Sequence, residues 1–244
     1  MEALNRAAKA VAESNDRDNS NLIWCTTSCG IMAENTKAAG IMASKKHNLL
    51  GICLKILDQT GSDKFLAFAC LSLIKNLALV DASSIAGCRG IESVVSVMRQ
   101  HFDAPGVLLA GTVFLGRICE HCPSAPMIAE GGFSVLFDVL GACYKNGRIL
   151  KVWGKESAST GGAGDASVGR VVFQTMTALK ICGSAMPSNH VELGKTDSLM
   201  KVKSVAVGAL NDEELLTLTA EIFACAASAD GKEGDAICDR MCST

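Results

Sequence analysis

Proline, aromatic side chains and net charge are all scarce in this 244-residue chain. Proline occurs four times and aromatics make up 5%, which leaves room for long unbroken helices. The charges nearly cancel, 23 Lys+Arg against 25 Asp+Glu, for a net charge of −2. That balance excludes a strongly basic field for gripping nucleic acid or an anionic membrane. The longest stretch without Lys, Arg, Asp or Glu is 15 residues, 19–33, and polar side chains interrupt it. A spanning helix takes about 20 apolar residues, so no transmembrane segment is expected. Residues 1–20 carry Glu2, Glu13, Asp16 and Asp18. They fit neither a secretory signal nor an acid-poor transit peptide, and read as a polar lead-in.

What is abundant is apolar surface, 49% of residues, ample for a packed core. The 12 cysteines are also many. Cys53, Cys70, Cys119, Cys143, Cys182 and Cys225 lie within apolar helical patterns such as LGICLKIL and FACLSL. A thiol there acts as a small hydrophobe. Disulfide frameworks belong to short secreted domains with weak cores. Reduced packing cysteines and a reducing intracellular compartment are the expectation. That means cytoplasm, with the cytoskeleton or a cilium included, or an organelle matrix.

The chain repeats itself. GRICEHCPSAPMIAEGGFSVLFDVL returns as LKICGSAMPSNHVELGKTDSLMKVK: Ile118, Ile128, Gly131, Leu136 and Val139 match Ile181, Val191, Gly194, Leu199 and Val202, each 63 residues on. An earlier copy places Ile85 43 residues before Ile128, and Gly90 42 before Gly132. Ile41 and Leu50 lie 44 before Ile85 and Val94, and Ile237 lies 46 after Val191. The basic period is therefore about 42–44 residues, and the longer step adds about 20. The surplus is the Gly/Ser/Ala-rich stretch 154–169, expected to be an inserted loop.

Within each copy the pattern is helical. Leu66, Ala69, Cys70, Leu73 and Leu77 form one apolar stripe, and so do Val107, Ala110, Gly111, Phe114 and Ile118. The shorter runs IESVVSVM and FSVLFDVL fit helix, with strand as the alternative for each alone. Gly90 and Gly132, at their starts, suit a tight corner.

A repeat of this length, ordered as short helix, glycine corner, second helix and long third helix, resembles armadillo repeats. The resemblance covers residues 20–240. It implies an all-α, right-handed solenoid of about five three-helix repeats, the first and last degenerate, forming one domain over 1–244. Stacked repeats bury their stripes jointly and leave a concave groove. In the armadillo family the third helices line that groove, and polar residues near their C-terminal halves contact extended peptides. The matching positions here are Asn76, Arg117 and Lys180, with Ser72, Val113 and Met176 one turn earlier. These six are the candidate partner-binding residues. Ordinary solvation of an open helix face is the competing account. Nuclear-import receptors of the family pair a Trp with such an Asn. Trp24 and Trp153 are the only Trp residues and neither fits, so that activity is disfavoured.

Other motifs carry little. Gly194-Lys195-Thr196 resembles the end of a phosphate-cradling P-loop, but Asn189 stands where the first glycine belongs and no strand precedes it. Cys119, His121 and Cys122 are too close in sequence to close a tetrahedral zinc site, and no second pair follows at the usual spacing. Cys25/Cys29 and Cys238/Cys242 are i, i+4 pairs, read as packing seams rather than redox or metal pairs, with the tail pair the more exposed. His47, His101, His121 and His190 fit no catalytic signature. Asp212-Glu213-Glu214 reads as a first helical turn behind an Asn211 cap.

The expectation is a non-catalytic protein–protein scaffold without cofactor or metal, a structural subunit of a large assembly that meets membranes only through partners. A mean hydropathy of +0.28 and only 20% charged residues favour a surface covered by neighbours. A free cytosolic adaptor capturing an extended peptide is the first alternative. A cysteine-dependent redox or metal-binding helical protein is the second.

Overall fold

The computed structural model describes residues 20–44, 49–60, 63–145, 148–149, 163–208, 212–229, 235–236 and 239. The protein is all-α. Among the described residues, apolar residues at a 3.6-residue period give eleven helices with defined bounds: α1 Ser20–Met32, α2 Thr36–Ala43, α3 Leu49–Thr60, α4 Lys64–Gly87, α5 Gly90–Gln100, α6 Pro105–His121, α7 Gly132–Cys143, α8 Ala163–Ala185, α9 Pro187–Leu193, α10 Thr196–Gly208 and α11 Glu213–Ala227. A minimal antiparallel pair, β1 Tyr144–Lys145 and β2 Arg148–Ile149, follows α7, with Tyr144 opposite Ile149. IESVVSVM and FSVLFDVL are helical, in α5 and α7. Each buries a continuous side, Ile91, Val94, Val95 and Met98 in one and Phe133, Leu136, Val139 and Leu140 in the other, which a two-residue alternation would not produce.

Side-chain caps set several boundaries. Asn35 Oδ1 accepts from Lys37 N and Ala38 N, opening α2. Asp63 Oδ1 accepts from Phe65 N and Leu66 N, opening α4. Inside α4, Asp81 leaves helical geometry at φ −150°, ψ 53°, and its carboxylate accepts from Ser84 N. One residue thus ends a long helix and caps the short one over 82–87. At the head of α11 the cap is Asp212, whose Oδ1 accepts from Leu215 N; Asn211 lies outside the described residues. A carboxylate competes well for that place because it also meets the helix dipole.

Both glycine corners have a steric cause. A Cβ on Gly90 would sit 2.7 Å from the Ile85 carbonyl oxygen, and one on Gly132 3.2 Å from that of Met127. The residue before each takes the left-handed turn, Arg89 at φ 58° and Gly131 at φ 78°. Gly194, matched to Gly131 by the 63-residue step, has an ordinary φ of −75°.

By its contacts the chain divides into two compact units, Met1–Cys122 and Pro123–Thr244. In the first, α4 is the hub: α1, α2, α3, α5 and α6 all pack on it, most extensively α6. Its core includes Leu22, Leu66, Leu73, Ile74, Leu77, Phe114 and Met98. In the second, α8 packs against α7, α9 and α11, and α10 against α7 and α11. Val171, Val172, Leu179, Leu193 and Ile222 form its centre.

Two sequence expectations shift. Residues 154–162 of the expected loop lie outside the described residues, whereas 163–169 belong to the first turns of α8. Ala163 and Ala166 are strong helix formers, which offsets the glycines there. Residues 1–19 of the lead-in are likewise outside, while Ser20 starts α1. α4 is long and apolar enough, by length and composition alone, to cross a membrane. The run of uncharged residues hid this, since Lys75 divides it without offsetting its apolar character. Most of its apolar window is buried against its neighbours in the first unit.

Candidate functional site

The long helices α4 and α6 lie side by side, and their buried and open stripes decide where each candidate residue points. On α4 the accessible positions before the kink at Asp81 are Lys64, Phe65, Phe68, Ser72, Lys75, Leu79 and Val80; on α6 they include Leu109, Val113, Arg117 and Glu120. Ser72, Val113 and Arg117 are thus half-buried on open stripes. Asn76 is not: it is 5% exposed. Its Nδ2 donates to the Gly30 carbonyl at 3.1 Å and its Oδ1 accepts from Arg117 Nη1 at 2.9 Å. Arg117 Nη1 also donates to the Lys75 carbonyl at 2.8 Å. Asn76 therefore ties α1, α4 and α6 together, and its amide is occupied within the protein.

Gly30 packs against the α4 backbone, where a Cβ would be 3.7 Å from Leu73 N, an ordinary contact. Burial lowers the pKa of the Arg117 guanidinium from its ordinary value, and Glu120 opposes that shift. The group remains a cation at neutral pH.

In the second unit, Lys180 on α8 forms an ion pair with Glu221 on α11 at 2.8 Å, both side chains about 40% exposed. Met176 is fully enclosed, so it cannot touch a partner as expected. Phe173, Gln174 and Thr177 are half-buried positions near it in the α8 sequence. Glu221 escaped the sequence reading, although it stands 41 residues after Lys180, as Arg117 does after Asn76. That step applied once more would have found it. It also makes the row of candidates less basic than Arg117 and Lys180 alone imply.

The remaining motifs are structural. Lys195 binds Glu192 at 2.6 Å, and the GKT run joins α9 to α10. Cys119 is buried, while Glu120 and His121 are exposed and Cys122 is half-buried. Among the described residues no group of three or more His, Cys, Asp or Glu is placed to hold a metal ion. His101 is buried at the end of α5 and His190 sits in α9; His47 is outside the described residues.

The ten described cysteines are free thiols. Cys53, Cys70, Cys119, Cys143 and Cys182 are buried, and Cys225 is half-buried with Sγ 3.3 Å from Ser184 Oγ. Cys29 is buried and Cys25 half-buried; Cys238 and Cys242 lie outside the described residues. A hydrogen bond with Cys70 and burial push the Cys53 thiol well up, burial raises Cys29, and burial pushes Cys143 to about 12. Such thiols carry little thiolate at neutral pH and are poor nucleophiles.

One polar cavity of about 280 Å³ lies where α3 meets the α5 corner, lined by Leu54, Asp58, Cys88, Arg89 and Glu92 among others. Its charged groups satisfy one another: Arg89 Nε donates to Glu92 at 2.6 Å, and Ser93 Oγ bonds Asp58 at 3.3 Å. No model of a known protein family matches this chain, and neither a curated protein nor a solved structure is significantly similar to it.

Proposed function

We propose that this chain is an armadillo-like α-solenoid that works as a non-catalytic scaffold, a structural subunit of a large multiprotein assembly in a reducing intracellular compartment. The order of elements supports the repeat reading. After α1 alone, short, medium and long helices recur as α2–α3–α4, as 82–87 with α5 and α6, and as α9–α10–α11. The intervening set has a turn at 127–131 in place of the short helix, then α7 and α8. That makes about five repeats, the first reduced to its third helix. Equivalent third-helix positions are tied in both units, Asn76 to Arg117 and Lys180 to Glu221.

The observation that carries the scaffold reading is the exposure of large apolar side chains on well-formed helices. Trp24 is 76% exposed, Phe65 65%, Ile31 63% and Ile41 60%. Isolated exposed hydrophobes are ordinary, but side chains of this size mark contact surfaces when they recur on neighbouring elements. Native size exclusion of the endogenous chain, with mass spectrometry of what co-elutes, tests this. Elution in a particle far larger than 25.4 kDa, with fixed stoichiometry, is expected. Elution as a free 25.4 kDa species would overturn it.

The adaptor alternative loses its original support. Capture through Asn76, Arg117 and Lys180 would require breaking bonds those side chains already make within the protein.

A further inference from the structure

Helix α1 packs on the hub helix α4 and buries Leu22, Thr26, Cys29 and Gly30. Its other side is bare. Asn21, Trp24, Thr27, Ser28, Ile31 and Met32 lie there, with Trp24 76%, Ile31 63% and Met32 51% exposed. No charged residue occurs from 20 to 33, in a chain of which 20% is charged. The order of side chains along this bare side is palindromic. From the midpoint between Thr27 and Ser28, each direction meets a small hydroxyl first. Three residues further comes a large apolar side chain, Trp24 one way and Ile31 the other. Three residues beyond that comes a polar group, Asn21 one way and Glu34, just past the end of α1, the other. Steps of three and four residues keep the set on one stripe.

We infer that this side of α1 binds a second copy of the same chain, the two α1 helices pairing antiparallel about a two-fold axis between Thr27 and Ser28. Trp24 of each copy then packs on Ile31 of the other, Thr27 lies over Ser28 of the other, and the Asn21 amide donates to the Glu34 carboxylate of the other. In a two-fold contact residue i meets j and j meets i, so a palindromic order is what a second copy requires and an unrelated partner does not. A face without charge meets its own image without repulsion, and antiparallel pairing sets opposite ends of the helix dipoles together. Small residues at the centre let the helices close while the large ones interlock on either side. At their exposures Trp24, Ile31 and Met32 offer about 400 Å² of apolar surface per copy, so two copies with their polar neighbours reach the low end of the ~1,200–2,000 Å² of a specific interface. A reversible dimer with a Kd on the order of 10 μM follows. The inference deepens the scaffold reading by naming the occupant of one of the exposed surfaces on which that reading rests.

The test is sedimentation velocity of the purified full chain over a range of concentrations, with Trp24 fluorescence followed in a Trp153→Phe background, where it is the single indole. Expected are a monomer–dimer equilibrium and a blue shift of Trp24 emission as the dimer fills. Trp24→Lys and Ile31→Glu should each weaken the dimer about tenfold or more. Mixing these two variants should restore it, because the antiparallel register then pairs the new ammonium with the new carboxylate and leaves one Trp24–Ile31 contact intact. Circular dichroism checks that both variants keep their helicity, as their exposure predicts. A monomer at every concentration would overturn the inference, and a monomer with Trp24 already shielded would show that another part of the same chain covers it. Polymers that grow past the dimer, a dimer indifferent to both variants, a dimer abolished by F65A/F68A, or no rescue on mixing would overturn it too. A monomeric purified chain whose endogenous form still runs in a large particle leaves the scaffold reading standing. An endogenous chain that runs as a free dimer removes the scaffold reading and keeps this one.

Discussion

The two units tie their long helices at equivalent positions by different chemistry. In the first, a buried neutral amide bridges a carbonyl and a guanidinium. In the second, an ammonium and a carboxylate meet in partly exposed surroundings. A buried amide cannot exchange its partners for water, so losing it leaves polar groups stranded. An exposed ion pair can always fall back on solvent, so it contributes little net stability. The same geometric step of 41 residues thus yields one seam that depends on its polar tie and one that relies on its apolar neighbours.

The largest expected break comes from Asn76→Ala. It strands the Gly30 carbonyl and part of the Arg117 fork, and should cost about 2–3 kcal/mol in urea unfolding. A loss below about 0.5 kcal/mol would show that water reaches the seam. Next comes alkaline pH. The Cys143 thiol is pushed from 9.0 to about 12, so the folded second unit holds a proton that the unfolded chain releases. Its stability is full below pH 9.0 and falls as pH rises toward about 12. Cys143→Ala should flatten that fall, and an unchanged pH profile would contradict the burial effect.

Smaller is the corner contrast. The left-handed residue is Gly131 in one unit and Arg89 in the other. Gly131→Ala should lower the melting stability by about 1 kcal/mol, because a Cβ is disfavoured at that φ. Equal stability would mean the corner relaxes. The smallest effect is the Lys180–Glu221 coupling. A double-mutant cycle should give under about 1 kcal/mol, shrinking in high salt. A larger, salt-independent value would erase the distinction between the seams.

Helix positions were readable because core stripes at 3.6-residue spacing survive in each copy, as in Leu66, Cys70, Leu73 and Leu77. So was the corner at Gly90, set by local sterics. The face assignment of the candidate residues was not. Spacing of i, i+4 joins Ser72 to Asn76 and Met176 to Lys180, but successive residues turn by about 100° and a stripe's edge is narrow. One position decides the matter: Lys75 faces out and Asn76 in. Asn76 is tied to α1 through the Gly30 carbonyl, a contact 46 residues away that no local period contains. Phe65 and Phe68 flank the core stripe and drew no notice, since an aromatic beside buried leucines reads as core.

The bond from Arg117 to the Lys75 carbonyl also has a consequence in time. That oxygen emerges from the ribosome 42 residues before this second donor. Closing the α4–α6 seam therefore belongs to the moment α6 is released. A nascent chain stalled before Arg117 would keep this edge of α4 wet and open to chaperones.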